Sequence, residues 1–451
     1  MLNITDYTNL LTEFVALKSI STDSAFRNDC HSCANWLLNL FSKNGFETKL
    51  IESDKTNPVV YASYVADVNA KTILIYGHYD VQPAGVHDGW STDDPFKLEQ
   101  KTFADNSLRL VARGSIDNKG QVLVHVFSVI ELIKQKKLKY NVKFLIEGNE
   151  ETGNVEIFKQ VKESADLLKC DLVIVSDGER PAVSNDLPVL EVSLRGGANS
   201  TLKLKTSRTN LHSGIYGKAV PTAIEEMYLL LSKLYKDDQT INIEGYYNEL
   251  PVPTEAQLQN NKLLEEGKQK EILDAAGVKS FKKESAYDFY TQTGLRPSII
   301  VTGIKGGYIG EGYANIVPCE CEARINFRVV APQNPKKCLE LFEKFIKENL
   351  PNYVDFEFRP NDPYRGYFSD PESEDFKTVE QTLKEIFNSN KVVHRFVGGG
   401  IPIVTCFKEI LGKDTIMLPL ASHDCNMHGV DENFDLELLK QALNFSEKFF
   451  G

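Results

Sequence analysis

Three apolar runs of this chain end in acidic or imidazole side chains, and that pattern constrains the fold more than any other feature. KTILIYG leads into His78 and Asp80, NVKFLIEG into Glu150 and Glu151, and DLVIVS into Asp177; a fourth run, TIMLPL, precedes His423. Short apolar runs bounded by turn residues read as strands buried on both faces, as in a parallel sheet covered by helices. A helical pattern from about Lys119 to Lys136 separates the first two runs. Reactive side chains at the strand ends then share the carboxyl edge, where open α/β sheets place their sites.

The texture changes near Leu190. LEVSLRGGANSTLKLKTS alternates apolar and polar residues, as an antiparallel strand with one wet face does. A helix follows from Pro221 to Tyr235, then a polar, irregular stretch to about Thr293. Alternating strands come next in CECEARINFRVV and YVDFEFRP, with a helix near Pro335 to Asn349 between them. From about Asp375 the α/β texture resumes, and it ends in the amphipathic helix LELLKQALNFSEKFF. A chain of 451 residues exceeds one core. The expected class is α/β: a catalytic domain over 1–189 and 370–451, with a mostly parallel sheet flanked by helices. A smaller two-layer α/β domain over 190–369 interrupts it.

The net charge of -12, with no long basic run to offset it, argues against a nucleic-acid partner. No run approaches the roughly 18–20 apolar residues of a membrane span, and MLNITDYTNLLTEFVALKSIST lacks a basic n-region. Eight cysteines scattered through apolar stretches fit reduced thiols. A cytoplasmic enzyme with no membrane partner is expected.

Taken singly, each polar strand end has an ordinary explanation. Asp117 in GSIDNKG could cap the helix that follows, and adjacent acids such as Glu150 and Glu151 are common on surfaces. Other features point to chemistry. On an extended segment His78 and Asp80 face the same way, so one can ligate a metal while the other holds the imidazole from behind. Glycines flanking Asp117 allow unusual torsions near a ligand. Of two neighbouring carboxylates at 150 and 151, one can ligate while the other moves a proton. In order along the chain, the set supplies the ligands for two zinc ions with one carboxylate left over as a base.

From YGHYDVQP to ASHDCNMHGVDENF, these motifs resemble the dinuclear-zinc metallopeptidase family of carnosinases, cytosolic dipeptidases, aminoacylases and acetylornithine or succinyl-diaminopimelate deacylases. The resemblance implies that Asp117 bridges two Zn2+ per subunit, one held by His78 and Asp177 and the other by Glu151 and His423. Mn2+ or Co2+ suit the same ligands. It implies Glu150 as general acid and base, with Asp80 orienting His78. By this resemblance the inserted domain is a lid or dimerisation domain, in which TNLHSGIYG matches the lid motif whose histidine, here His212, steadies the scissile carbonyl across a dimer interface. Asn315, Arg328 and the loop Gly398, Gly399, Gly400 match substrate contacts, Arg328 offering a planar fork to a carboxylate. Three departures stand out. Asn118 replaces a second aspartate, and His423 is not followed three and four residues on by Asn-Glu. Gly400 replaces a serine that commonly contacts substrate in the dipeptidases.

The expected function is that of a carnosinase-like dipeptidase, a homodimer through its lid, acting on small peptides. Asp177 favours this over an N-acyl amino acid deacylase, because in the family glutamate at that position accompanies deacylases. A non-catalytic binding protein of the same fold is the remaining alternative.

Overall fold

In the computed structural model, which describes residues 2–154, 156–181 and 187–451, the apolar runs pair with one another. Thr72–His78 lies between Asn141–Glu147 and Leu172–Val175 and is parallel to both. Thr415–Met417 runs parallel to Leu172–Val175. Val59–Tyr64 and Glu47–Ile51 extend one side antiparallel, and Val189–Leu194 pairs antiparallel on the other. The central strands are buried along nearly their whole length, which is why they read as continuous apolar runs.

The chain divides into two compact units. One comprises Met1–Val192, Ser369–Arg395 and Ile403–Gly451, the other Ser193–Phe368 and Phe396–Pro402. The segment Phe396–Pro402, expected in the catalytic part, therefore groups with the second unit. Close packing explains it, since a Cβ added at Gly294 would lie 2.2 Å from the Phe396 carbonyl oxygen. The Arg195 N–H also donates to the Val397 and Gly399 carbonyls.

In the first unit the helix Lys119–Lys134 is buried along almost all of its length, covered by Ile4–Val15 and Leu436–Phe450. Its first residue is a fully buried lysine. The Lys119 ammonium donates to the carbonyls of Phe14 and Leu17, at 2.9 and 2.6 Å, at and just beyond the C-terminal end of the first helix.

The second unit is a four-stranded antiparallel sheet in the order Ser298–Gly306, Glu320–Val329, Gly196–Lys205, Asp355–Tyr364. Ala223–Ser232 and Pro335–Asn349 cover one face with an apolar core that includes Leu202, Met227, Phe327 and Phe342. The single strand expected around 190–207 is two strands, Val189–Leu194 and Gly196–Lys205, broken at Arg195. The stretch expected to be irregular contains the helices Glu255–Glu265, Gln269–Ala276 and Phe289–Leu295. The first has a full capping box, in which Thr254 Oγ accepts the Gln257 N–H and Gln257 Oε1 accepts the Thr254 N–H.

The turn from Asp117 into the central helix leaves no room for a side chain at Gly120, where a Cβ would lie 1.8 Å from the Ser115 carbonyl oxygen. Gly120→Ala should lower stability by about 2–3 kcal/mol, the cost of overpacking. Denaturant unfolding should show a lower midpoint at unchanged slope.

Candidate metal centre

His78 ends its strand with a fully buried imidazole. Its Nδ1 lies 3.0 Å from the Asp80 carbonyl oxygen and 3.4 Å from Asp80 Oδ1, so Nε2 is turned the other way. Nε2 faces Asp117 Oδ1 at 3.1 Å and Asp177 Oδ1 at 3.5 Å. Asp117 presents its second oxygen elsewhere: Oδ2 lies 2.8 Å from His428 Nε2, which is also 3.2 Å from Glu151 Oε2. The site is therefore two three-residue groups that share Asp117, one oxygen to each: His78, Asp117, Asp177 and Asp117, Glu151, His428.

The structure thus brings together His78, Asp117, Glu151 and Asp177, and supplies His428 where the sequence reading placed His423. His423 is exposed, and its charge acts on Glu179 and Asp424. The reason is the path of the loop. A turn closes from Ser422 to Cys425 and a second from Asn426 to Gly429, with Asn426 and His428 both at positive φ. This reversal swings residue 428, not 423, toward Asp117. Arg113 fastens the turn by donating to the carbonyls of His428 and Gly429. A signal for this was present in HGVDE, since His428 is followed three and four residues on by Asp431 and Glu432. That is the spacing the resemblance asks for, with Asp in place of Asn, so the apparent departure after His423 dissolves.

The residues around the ligands fix them in place. The fully buried Glu432 carboxylate accepts the backbone N–H groups of Gly114, Ile116 and Asp117 and pairs with Arg113 at 2.7 Å. Asn118 donates to Asp177 Oδ1 at 2.8 Å and to the Ser176 carbonyl, and its Oδ1 accepts the His78 N–H. An amide can do both, whereas an ionised carboxylate could only accept. Asp80 accepts the N–H groups of Glu150 and Glu151, and the Ser21 hydroxyl at 2.6 Å. It therefore positions the acidic pair as well as His78. Glu151 Oε2 accepts from Gln82 at 2.7 Å.

The donor set fits divalent cations. Among the described residues, none of Asp117, Glu150, Glu151 and Asp177 pairs with a lysine or arginine. Glu151 Oε1 is buried with no hydrogen-bond partner, an arrangement that is costly unless a cation completes it. Burial lowers the His78 affinity for a proton, but Asp177, Asp117 and Asp80 outweigh it and hold the imidazole well above its usual range. Hydrogen bonds to Asp117 and Glu151 lift His428 to about 10. Burial, with Asp177, Asp80 and Asp117 close by, pushes Glu150 up to about 8 despite the opposing pull of His78. Carboxylates acting on imidazoles in this way would act equally on a metal ion, which discharges the imidazole proton on binding.

The remaining candidates lie in the second unit. His212 is exposed at the end of a short ladder, Leu211–His212 against Ile316–Val317, and its Nδ1 accepts the Gly214 N–H. Asn315 adjoins it, its carbonyl accepting the Ser213 N–H at 3.0 Å. Arg328 donates to the Tyr364 hydroxyl, and the loop Gly398, Gly399, Gly400 is held by Arg195, whose Nε donates to the Gly398 carbonyl.

The two histidines give a direct test. His428→Ala should lose one metal equivalent per chain, weakening binding by more than the roughly 10–100-fold that loss of an outer-shell partner costs. His423→Ala should retain both equivalents. Metal content after equilibrium dialysis distinguishes them.

Comparison with known proteins agrees with this geometry. The sequence profile of Peptidase family M20/M25/M40 matches residues 74–450. The Cys-Gly metallodipeptidase DUG1 of Candida albicans is 28% identical over 449 residues, covering 94% of this chain and 90% of that protein. The human Beta-Ala-His dipeptidase is 26% identical over 387 residues, 84% of this chain and 74% of that one. Among solved structures, the M20 family metallo-carboxypeptidase Sso-CP2 from Sulfolobus solfataricus superposes with a TM-score of 0.80 at 27% identity, covering 98% of both chains. With the profile spanning most of the chain, and every residue of the paired acidic and imidazole groups inside it, this protein belongs to Peptidase family M20/M25/M40.

Proposed function

We propose that this protein is a metal-dependent dipeptidase that binds two Zn2+ ions per chain. His78, Asp117 and Asp177 would hold one ion, and Asp117, Glu151 and His428 the other. The observation that carries the reading is Asp117 offering one carboxylate oxygen to each histidine-containing group. Relatives named as metallodipeptidases and dipeptidases, aligned over most of this chain, support the substrate class.

When bound, the ions supply Lewis acidity, polarising a carbonyl and lowering the pKa of water. The chain's own residues do the rest. The Glu150 side chain makes no hydrogen bond among the described residues, and its backbone is fixed by Asp80. It stands beside the ligands with a raised proton affinity, the condition for taking a proton from attacking water and returning it to the departing amine. Asp80 keeps His78 Nε2 turned toward the carboxylates. The family resemblance assigns oxyanion and substrate-contact roles to His212, Asn315, Arg328, Gly399 and Gly400, all of which belong to the second unit.

Glu150→Gln should leave metal content and fold unchanged and lower kcat by about 10²–10⁴-fold. A panel of dipeptides, longer peptides and N-acyl amino acids checks the substrate class. Cleavage of N-acyl amino acids alone would favour the deacylase reading, and cleavage of long peptides as fast as dipeptides a carboxypeptidase.

The chain forms a homodimer through its second unit. Ser298–Gly306 is an edge strand that exposes Ile300 and Ile304, and an exposed apolar edge is a pairing surface unless covered. Beside it, Ile224 lies within 3.2 Å of a Cβ placed on Gly306, and the same helix exposes Tyr228 and Leu229. A second copy of the same edge would cover this patch about a two-fold axis. Sedimentation equilibrium should show a dimer for the native protein and a monomer for Ile300→Asp/Ile304→Asp. No helix among the described residues is long and apolar enough to cross a membrane.

A further inference from the structure

Gly400 stands where dipeptidases of the family commonly carry a serine, and the second unit shows why a larger residue does not fit. A Cβ at Gly400 would lie 2.7 Å from the Arg195 carbonyl oxygen, 2.9 Å from a ring carbon of Tyr364 and 3.2 Å from its hydroxyl. The space that a loop side chain would take is filled by Tyr364.

Strand register puts Tyr364 there. Gly197, in a central strand of the sheet, pairs with Arg328 on one side and with Tyr364 on the other. Paired residues project from the same face. Gly197 has no side chain, so Arg328 reaches across it and Nη1 donates to the Tyr364 hydroxyl oxygen at 2.9 Å. An irregularity between Asn361 and Tyr364 sets that register.

The surroundings are cationic. Arg195 gives Nε to the Gly398 carbonyl and Nη1 to the Arg296 carbonyl. Burial, together with Arg328, pulls the Arg195 guanidinium down to about 10. Among the described residues neither arginine pairs with a carboxylate. Because Tyr364 accepts from Arg328, its own proton is left to donate. An O–H beside an unpaired guanidinium is the complement of a carboxylate.

We propose that Tyr364 determines specificity: with Arg328 it receives the substrate's terminal carboxylate in place of a loop serine, and residue 400 is glycine to admit its ring. The identity of the anion rests on the dipeptidase reading, whereas the site itself does not.

The test uses the metal-loaded full chain and two probes, a dipeptide whose peptide bond is reduced to CH2–NH and the C-terminal amide of the same compound. Calorimetry should show that the native protein prefers the carboxylate probe. Tyr364→Phe, which keeps the ring, should lose about tenfold or more of that preference while binding the amide as before. With the parent dipeptide, KM should rise by a similar factor at nearly unchanged kcat. Gly400→Ser should reproduce the loss in the native background and add nothing in a Tyr364→Ala background. Tyr364→Phe that binds both probes as the native protein does, or weakens both equally, overturns the proposal. A native protein that cleaves no dipeptide but shows a Tyr364-dependent carboxylate preference would refute the dipeptidase reading and leave the site standing.

Discussion

Glu432 is the residue on which the geometry of the metal centre depends. Its buried carboxylate accepts the backbone N–H groups of Gly114, Ile116 and Asp117 and closes a 2.7 Å pair with Arg113. Burying a carboxylate is costly, and donors on this scale are what offset it. His428 sits four residues earlier on the same loop, and Arg113 also holds the carbonyls of His428 and Gly429. One loop-to-turn contact therefore delivers Asp117 and the His428 imidazole together.

Around that contact the strand ends place the remaining carboxylates. His78, Glu150, Glu151 and Asp177 follow strands that are parallel neighbours, so they open at one sheet edge without any loop having to reach far. Asp80 and Asn118 tie these ends laterally, Asp80 to the backbone of Glu150 and Glu151, Asn118 to His78 and Asp177. A cluster so rich in carboxylates, with no lysine or arginine paired to it among the described residues, favours cations. That links the fold's electrostatics to its chemistry.

Much of this was legible in the sequence because buried parallel strands leave a strong apolar signal and their ends are few. The positions of His78, of the Glu150–Glu151 pair and of Asp177 follow from that logic, whereas Asp117 and the choice of Glu151 over Glu150 came from the family resemblance. The histidine of the final loop followed from neither, because two histidines lie five residues apart and only the double turn through Asn426 decides which one faces inward. Residue spacing to Glu432 carried the answer, but its meaning lies in a contact with a turn more than 300 residues away. The helices of 255–295 were hidden for a different reason. Their faces are polar and only a capping box at Thr254 marks the start. Tyr364 had no sequence signal at all, since its role depends on register opposite a glycine.

On this geometry Asp117 would bridge two metal ions, with His428 on the second. Anomalous diffraction at the zinc absorption edge from crystals of the zinc-loaded protein tests it most directly. Two peaks are expected flanking the Asp117 carboxylate, roughly 3.5–4 Å apart, one beside His78 and Asp177 and the other beside Glu151 and His428. A single peak, or a second peak ligated by His423 with His428 turned away, would contradict it.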